Sequence, residues 1–149
     1  MKTLINAVKS ALQGAAALSY VTDTNIVIIP DEDLLPVDIG FPAIGLKDGA
    51  VGWERGSTDN FDNRYNVDVI IYVLLSAGET PIIGQVSPKI YGTLDIRDNI
   101  LSVLDDNTLS ISGIIENIVI AEKMSELMGN DDLLLLKKKM TYQYLYLHN

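Results

Sequence analysis

The chain has 149 residues and a formal net charge of −9, with 20 acidic and 11 basic residues and no cysteine. That length fits one domain able to bury roughly two-thirds of its unfolded surface. The missing cysteine excludes disulfides, thiol catalysis and thiolate metal sites. Hydrophobic residues make up 48% and mean hydropathy is +0.20, high for a free-standing subunit and a sign of apolar surface reserved for a partner. No apolar run approaches the ~20 residues that a membrane helix needs.

The first element is a helix predicted over 2–18, on the helical spacing of Leu4, Ile5, Val8, Ala11, Leu12 and Ala15. Lys2, Lys9, Asn6 and Gln13 make it amphipathic, unlike the unbroken apolar centre of a signal peptide. Residues 26–29 read as a short strand stopped by Pro30, and 31–38 as an acidic loop between two prolines. A strand over 41–46 starts at Phe41-Pro42, Lys47-Asp48-Gly49 is a turn signal, and 51–54 pairs back as a hairpin. Residues 56–63 form a polar loop.

The strongest pattern lies at 64–75. Tyr65, Val67, Val69, Ile71, Val73 and Leu75 form one face. The other face begins polar, with Arg64, Asn66 and Asp68, and ends apolar, with Ile70, Tyr72 and Leu74. This is a long strand, half solvated at its start and covered on both sides at its end. After a turn at 76–81, a helix is expected over about 82–104, with Pro88 placing its start near Ser87. A strand at 114–123, a loop or short helical turn at 124–132 and a closing strand at 133–147 complete the order α-β-β-β-β-α-β-β. The expected class is α+β in a single domain, 1–149, a mainly antiparallel sheet with two helices packed on one face.

Residues that could carry chemistry are few. Asp31, Glu32, Asp33 and Asp38 could hold a hard cation through carboxylate oxygens, but the glycine-centred calcium-loop pattern is missing and a solvated loop is the commoner reading. Asp59 and Asp62 stand in the same position. His148, the only histidine, sits next to the last residue, where a catalytic base is poorly held. Neither a phosphate-cradling glycine loop nor a GxSxG nucleophile elbow is present. Lys137, Lys138 and Lys139 read as a solvated strand edge, with phosphate binding as the less favoured reading. The tyrosine face of the last strand, Tyr142 and Tyr144 included, reads as sheet cover or a subunit contact, since base stackers come with positive charge. Trp53 has the same two readings and, if exposed, would anchor an interface.

The layout of an N-terminal helix, Phe41-Pro42-Ala43-Ile44-Gly45-Leu46, a glycine- and charge-bearing segment from Asp48 to Asp62, the Tyr65-to-Leu75 strand, a second helix and two closing strands resembles a known family. It is similar to the tail terminator (tail completion) proteins of long-tailed bacteriophages, of the minor tail protein U type. The resemblance covers nearly the whole chain and implies a small α+β virion subunit, assembled in the host cytoplasm. Such a subunit forms a hexameric ring, caps the tail tube and meets the head connector, with DNA only as cargo in the lumen. It implies no enzymatic activity, cofactor or membrane. An acidic body agrees, because it disfavours phosphate contacts yet lets a duplex slide past. From pattern alone the expected subunit and partner contacts are Asp31, Glu32, Asp33, Trp53, Arg55, Phe61, Arg64, Lys137, Lys138, Lys139, Tyr142 and Tyr144. Alternatives are another neck, head-closure or tail-tube component, a small cytoplasmic ligand-binding domain, and a metal enzyme using the acidic loop.

Overall fold

The computed structural model describes residues 1–55, 61–130 and 132–148. Among them are the helices α1 (Lys2–Gln13), α2 (Thr80–Ile83) and α3 (Thr93–Leu104). The strands are β1 (Ile26–Ile28), β2 (Ala43–Arg55), β3 (Phe61–Leu74), β4 (Ile114–Glu122), β5 (Glu126–Asn130) and β6 (Leu133–His148). They form one six-stranded sheet in the order β1-β2-β3-β6-β4, with β5 also paired to β6. β1 runs parallel to β2, and every other pairing is antiparallel, so this is an α+β fold with a mixed sheet.

The alternation along β3 sorts the core into two. Val67, Val69, Ile71 and Val73 join the main cluster, together with Leu4, Ile5, Val8 and Leu12 of α1 and Ile96, Ile100 and Leu104 of α3. Ile70 and Tyr72 belong to a second cluster with Ile29, Ala43 and Leu135. Leu35, Ile39 and Phe41, from the connection between β1 and β2, pack against that second cluster. The start of β3 stays polar, with Arg64 exposed and Asn66 and Asp68 half-buried. The strand is therefore covered on both sides from Ile70 to Val73 and on one side at its start, but Leu74, expected to be covered as well, is 52% exposed.

Five expectations are corrected. Lys47-Asp48-Gly49 does not reverse the chain: 43–55 is one strand, and the local irregularity is a bulge between Asp48 and Val51. A bulge and a turn draw on the same small and polar residues, so the local signal could not separate them. The hairpin joins β2 to β3, and Phe61–Asn63, expected in a loop, are already paired; residues 56–60 lie outside the described residues. The helix expected over 82–104 is broken. Gly84 has φ +78°, Gln85 and Ile90 bridge by backbone bonds of 2.8 and 2.9 Å, and α3 starts only after Gly92. Asp95 caps that start, accepting from the Gly92 N–H at 3.2 Å. Residues 126–130 are not a loop but β5, paired to Leu133–Lys137. The first helix ends at Gln13, and a 3₁₀ turn at Ala16–Leu18 brings buried Leu18 into the core.

The fifth correction concerns β6. Expected as a solvated edge, it lies inside the sheet, with β3 on one side and β4 and β5 on the other. Tyr142 and Tyr144 are fully buried in the main core, so they cover the sheet from within and do not lie on the subunit surface. Burial raises the Tyr144 hydroxyl to about 12.

Two substitutions probe this core. Ile71→Ala removes a side chain packed inside the β3–β6 centre and should lower stability by about 2–5 kcal/mol. The buried Tyr142 hydroxyl has no hydrogen-bond partner among the described residues. Tyr142→Phe should therefore leave denaturant stability unchanged or raise it, because the buried hydroxyl then no longer has to be desolvated.

Candidate functional site: a latched strap, an exposed tryptophan and an apolar cleft

The connection from Asp31 to Phe41 forms a strap over the second cluster. Pro30 ends the preceding extended segment, and Asp31 Oδ1 accepts from the Asp33 N–H at 2.9 Å, shaping the first bend. The Tyr72 hydroxyl donates to the Glu32 carbonyl at 2.7 Å. The remaining hold is ionic. Lys137 Nζ lies 2.7 Å from Asp33, 3.3 Å from Glu126 and 3.4 Å from Glu32, with its side chain only 8% exposed. Lys139 Nζ lies 2.8 Å from Glu32 and 3.8 Å from Asp68.

Alternation sends Lys138 to the opposite face. There it meets Glu122 at 3.0 Å and donates to the Lys123 carbonyl at 2.8 Å. Glu122 in turn accepts from Arg97 of α3 at 2.9 and 3.0 Å. The lysine run expected as a solvated edge or phosphate patch is thus consumed by internal pairs. Removing charges from water is costly, and several partners per ammonium are what make the burial tolerable. The Lys139 hydrogen bond holds Glu32 below its ordinary range. Burial alone would lower the Lys137 ammonium, but Asp33, Glu126 and Glu32 outweigh it and raise it.

The remaining expected residues fall apart from the strap. Beyond the bulge, β2 stays paired to β3, which is itself paired to β6, and Trp53 is 68% exposed. Arg55 and Phe61 face each other in register, as do Glu54 and Asp62. Arg64 is exposed and lines a shallow pocket with Glu116, Ile118, Gln143 and Leu145. Asp31 and Asp38 are exposed. Asp59 lies outside the described residues. Among the described residues, no group of three or more His, Cys, Asp or Glu side chains is placed to hold a metal ion. No described helix is long and apolar enough to cross a membrane.

One feature went unseen in the sequence. At the opposite end of β2 from Trp53, a cleft of 310 Å³ opens between Phe41-Pro42, Val73 and the 84–91 excursion. Tyr20 and Tyr91 stack in its wall with centroids 3.4 Å apart. Asn99 donates to the Tyr20 hydroxyl at 2.9 Å, and burial raises that hydroxyl to about 12. Lys89 sits 4.7 Å over the Tyr91 ring. The cleft draws its walls from separate segments spread between Tyr20 and Tyr91, so no local pattern announces it.

The latch has a pH signature. Glu32 has its folded pKa below the ordinary 4.5, so its contribution is present above that value and lost as pH falls through the folded one. Lys139, raised above 10.5, contributes fully below that value and loses its share as pH rises further. Glu32→Gln should lower the melting temperature at pH 7, and the gap from the parent chain should shrink as pH drops well below 4.5. An equal gap at every pH would show that the carboxylate charge does not hold the strap.

Comparison with solved structures finds the same fold in a chain of the "Virion of native gene transfer agent (GTA) particle". The match covers 97% of this chain and 95% of that one, with a TM-score of 0.64 and 10% sequence identity. No protein-family model and no curated protein matches the sequence.

Proposed function

We propose that the chain is a structural subunit of a phage-like virion and, within it, the ring-forming tail terminator that caps the tail tube and joins it to the head connector. The observation that carries this reading is the end-to-end likeness of fold to a chain of a gene transfer agent virion, which leaves almost nothing of either chain unmatched. A subunit of this kind acts by assembly, not catalysis. Three features support such a role. Large apolar side chains, among them Trp53, Leu74, Ile115, Ile118 and Leu127, are exposed on the free subunit, as expected of surface that a partner covers. The β4 strand ends the sheet path and offers unpaired backbone to a neighbour. The net charge of −9 suits a lumen through which DNA passes without adhering.

Light scattering followed by negative-stain imaging of the same peak tests the reading. Hexameric rings with a central hole wide enough for duplex DNA, or a monomer that binds the ends of purified tail tubes and there forms a ring, is the expected result. A chain that stays monomeric at high concentration and also fails to bind purified tubes overturns it. Binding along the whole tube wall, instead of at its end, would move the assignment to a different tail component.

A further inference from the structure

The sheet has two open edges, and they lie at one level. β4 ends the strand order. β1 pairs with β2 only at Ile44–Leu46, so among the described residues no strand pairs with the outer edge of β2 from Lys47 to Arg55. β4 has 9 residues, and the open stretch of β2 matches it in length. Rows of paired residues cross the sheet between these edges. Val51, Tyr65, Tyr144 and Asn117 make one row, and Gly52, Arg64, Leu145 and Glu116 the next. Each row begins on one open edge and ends on the other.

The side chains are those of edges that become covered. Natural edge strands are guarded by lysine, proline or inward-pointing charge. β4 carries no lysine, arginine or proline, and Ile115, Ile118 and Ile120 are exposed along it. Val51 and Trp53 are exposed on β2. Glu116–Val119 of β4 and Val51–Arg55 of β2 each pair inward without a break, so both edges offer a regular run of backbone groups outward.

Strand direction selects the occupant. β2 and β6 run one way, β3 and β4 the other. A second copy, rotated about an axis along the strands, brings its β2 antiparallel to β4 of the first and keeps its helices on the same face of the sheet. Two β4 edges would pair through a twofold axis, which stops at a dimer and leaves both β2 edges uncovered. The geometry points to backbone pairing between copies, with β4 of one antiparallel to the outer edge of β2 of the next and Glu116 opposite Gly52. Because the edges are level, copies add by rotation with little rise, which is what a closed ring requires. This deepens the ring reading and rests on it for closure, but the contact itself can be measured separately.

The chain has no cysteine, so an introduced pair reads the register directly. Opposite residues of an antiparallel pair lie about 5 Å apart at Cα, within disulfide reach. Gly52 and Glu116 are exposed, and a side chain on Gly52 meets only the Arg64 side chain, at ordinary contact distance. Within one chain β3 and β6 hold the two positions roughly 14 Å apart, so only a neighbour can be linked. The chain carrying Gly52→Cys and Glu116→Cys, oxidised at high concentration and on purified tail tubes, should give a ladder of linked species that ends at the closed ring. The two single variants should give dimers when mixed and no linked species separately. Lys47→Cys with Glu116→Cys should stay unlinked, since Lys47 lies roughly 13 Å further along the sheet. Linked dimers from Glu116→Cys alone, or no link in either condition, overturn the contact. Rings without the link overturn the contact and leave the ring reading standing. Linked filaments that never close uphold the contact and overturn the ring reading. Should the double variant fail to fold, the parent's only tryptophan reads the same contact, because Trp53 shares a row with Ile114 at the β4 edge. A shift of its emission to shorter wavelength on assembly upholds the pairing, and unchanged emission overturns it.

Discussion

The pairing of β3 with β6 is the constraint on which the remaining structure depends. It runs without a bulge from Phe61 opposite His148 to Leu74 opposite Leu135. Because the register is unbroken, alternation is strict along both strands, and each residue is committed to one face. A slip of one position would carry Tyr142, Tyr144 and Met140 out of the main core and put Thr141, Gln143 and either Lys139 or Leu145 in their place. The hydrophobic pattern of β3 and the tyrosine pattern of β6 therefore hold the same register from both sides. β2 adds to one flank, and β4 and β5 share the other, so the ladder also sets where the helices and the strap can lie.

Charge inside that ladder has a structural logic. Three consecutive lysines in a central strand must alternate faces, so they need acids on both sides of the sheet. Glu32 and Asp33 arrive from the strap on one side, with Glu126 of β5 and Asp68 of β3 beside them. Glu122 arrives from the end of β4 on the other and is itself fixed by Arg97 of α3. The run thus fastens three peripheral segments to the middle of the sheet. Apolar residues of the same size could pack there with less desolvation. They would not choose among segments, whereas an ammonium with several acidic partners accepts few alternatives.

The two sides of this arrangement were unequally legible in the sequence. β3 was readable because period-2 alternation over a dozen residues has few competing explanations. The helical spacing of Leu4, Ile5, Val8 and Leu12 was readable for the same reason. Lys137–Lys139 misled because a charge run looks alike at a solvated edge and in a ladder. What separates the two is Glu32, about a hundred positions away in the chain. Tyr142 and Tyr144 posed the mirror problem: an aromatic face shows that something covers it, not whether that cover is the chain's own α3 or a second subunit. Met124 to Asp132, with one glycine and two acids at its end, carries too little alternation to announce a five-residue strand. Trp53 is the exception among the candidate residues. It is exposed, and the small and polar neighbours around it made that state legible in the sequence.

The break between α2 and α3 shapes the cleft. Pro88 alone explains why a helix cannot run unbroken through it, since proline lacks the N–H and crowds the preceding turn. Gly84 and Gly92 do more than interrupt. A side chain on Gly84 would meet Asp95 and the Ile90 carbonyl, and one on Gly92 would meet the Ile82 carbonyl. The two glycines let α2 and the start of α3 close on each other, which forces 85–91 outward as a narrow excursion. That excursion brings Lys89, Ile90 and Tyr91 to the wall of the cleft. A continuous helix over the same residues would have pointed these side chains around its axis, not together toward Phe41 and Val73. The glycines and the proline that weaken the helical signal in the sequence are thus the same residues that make a concave surface possible in the fold.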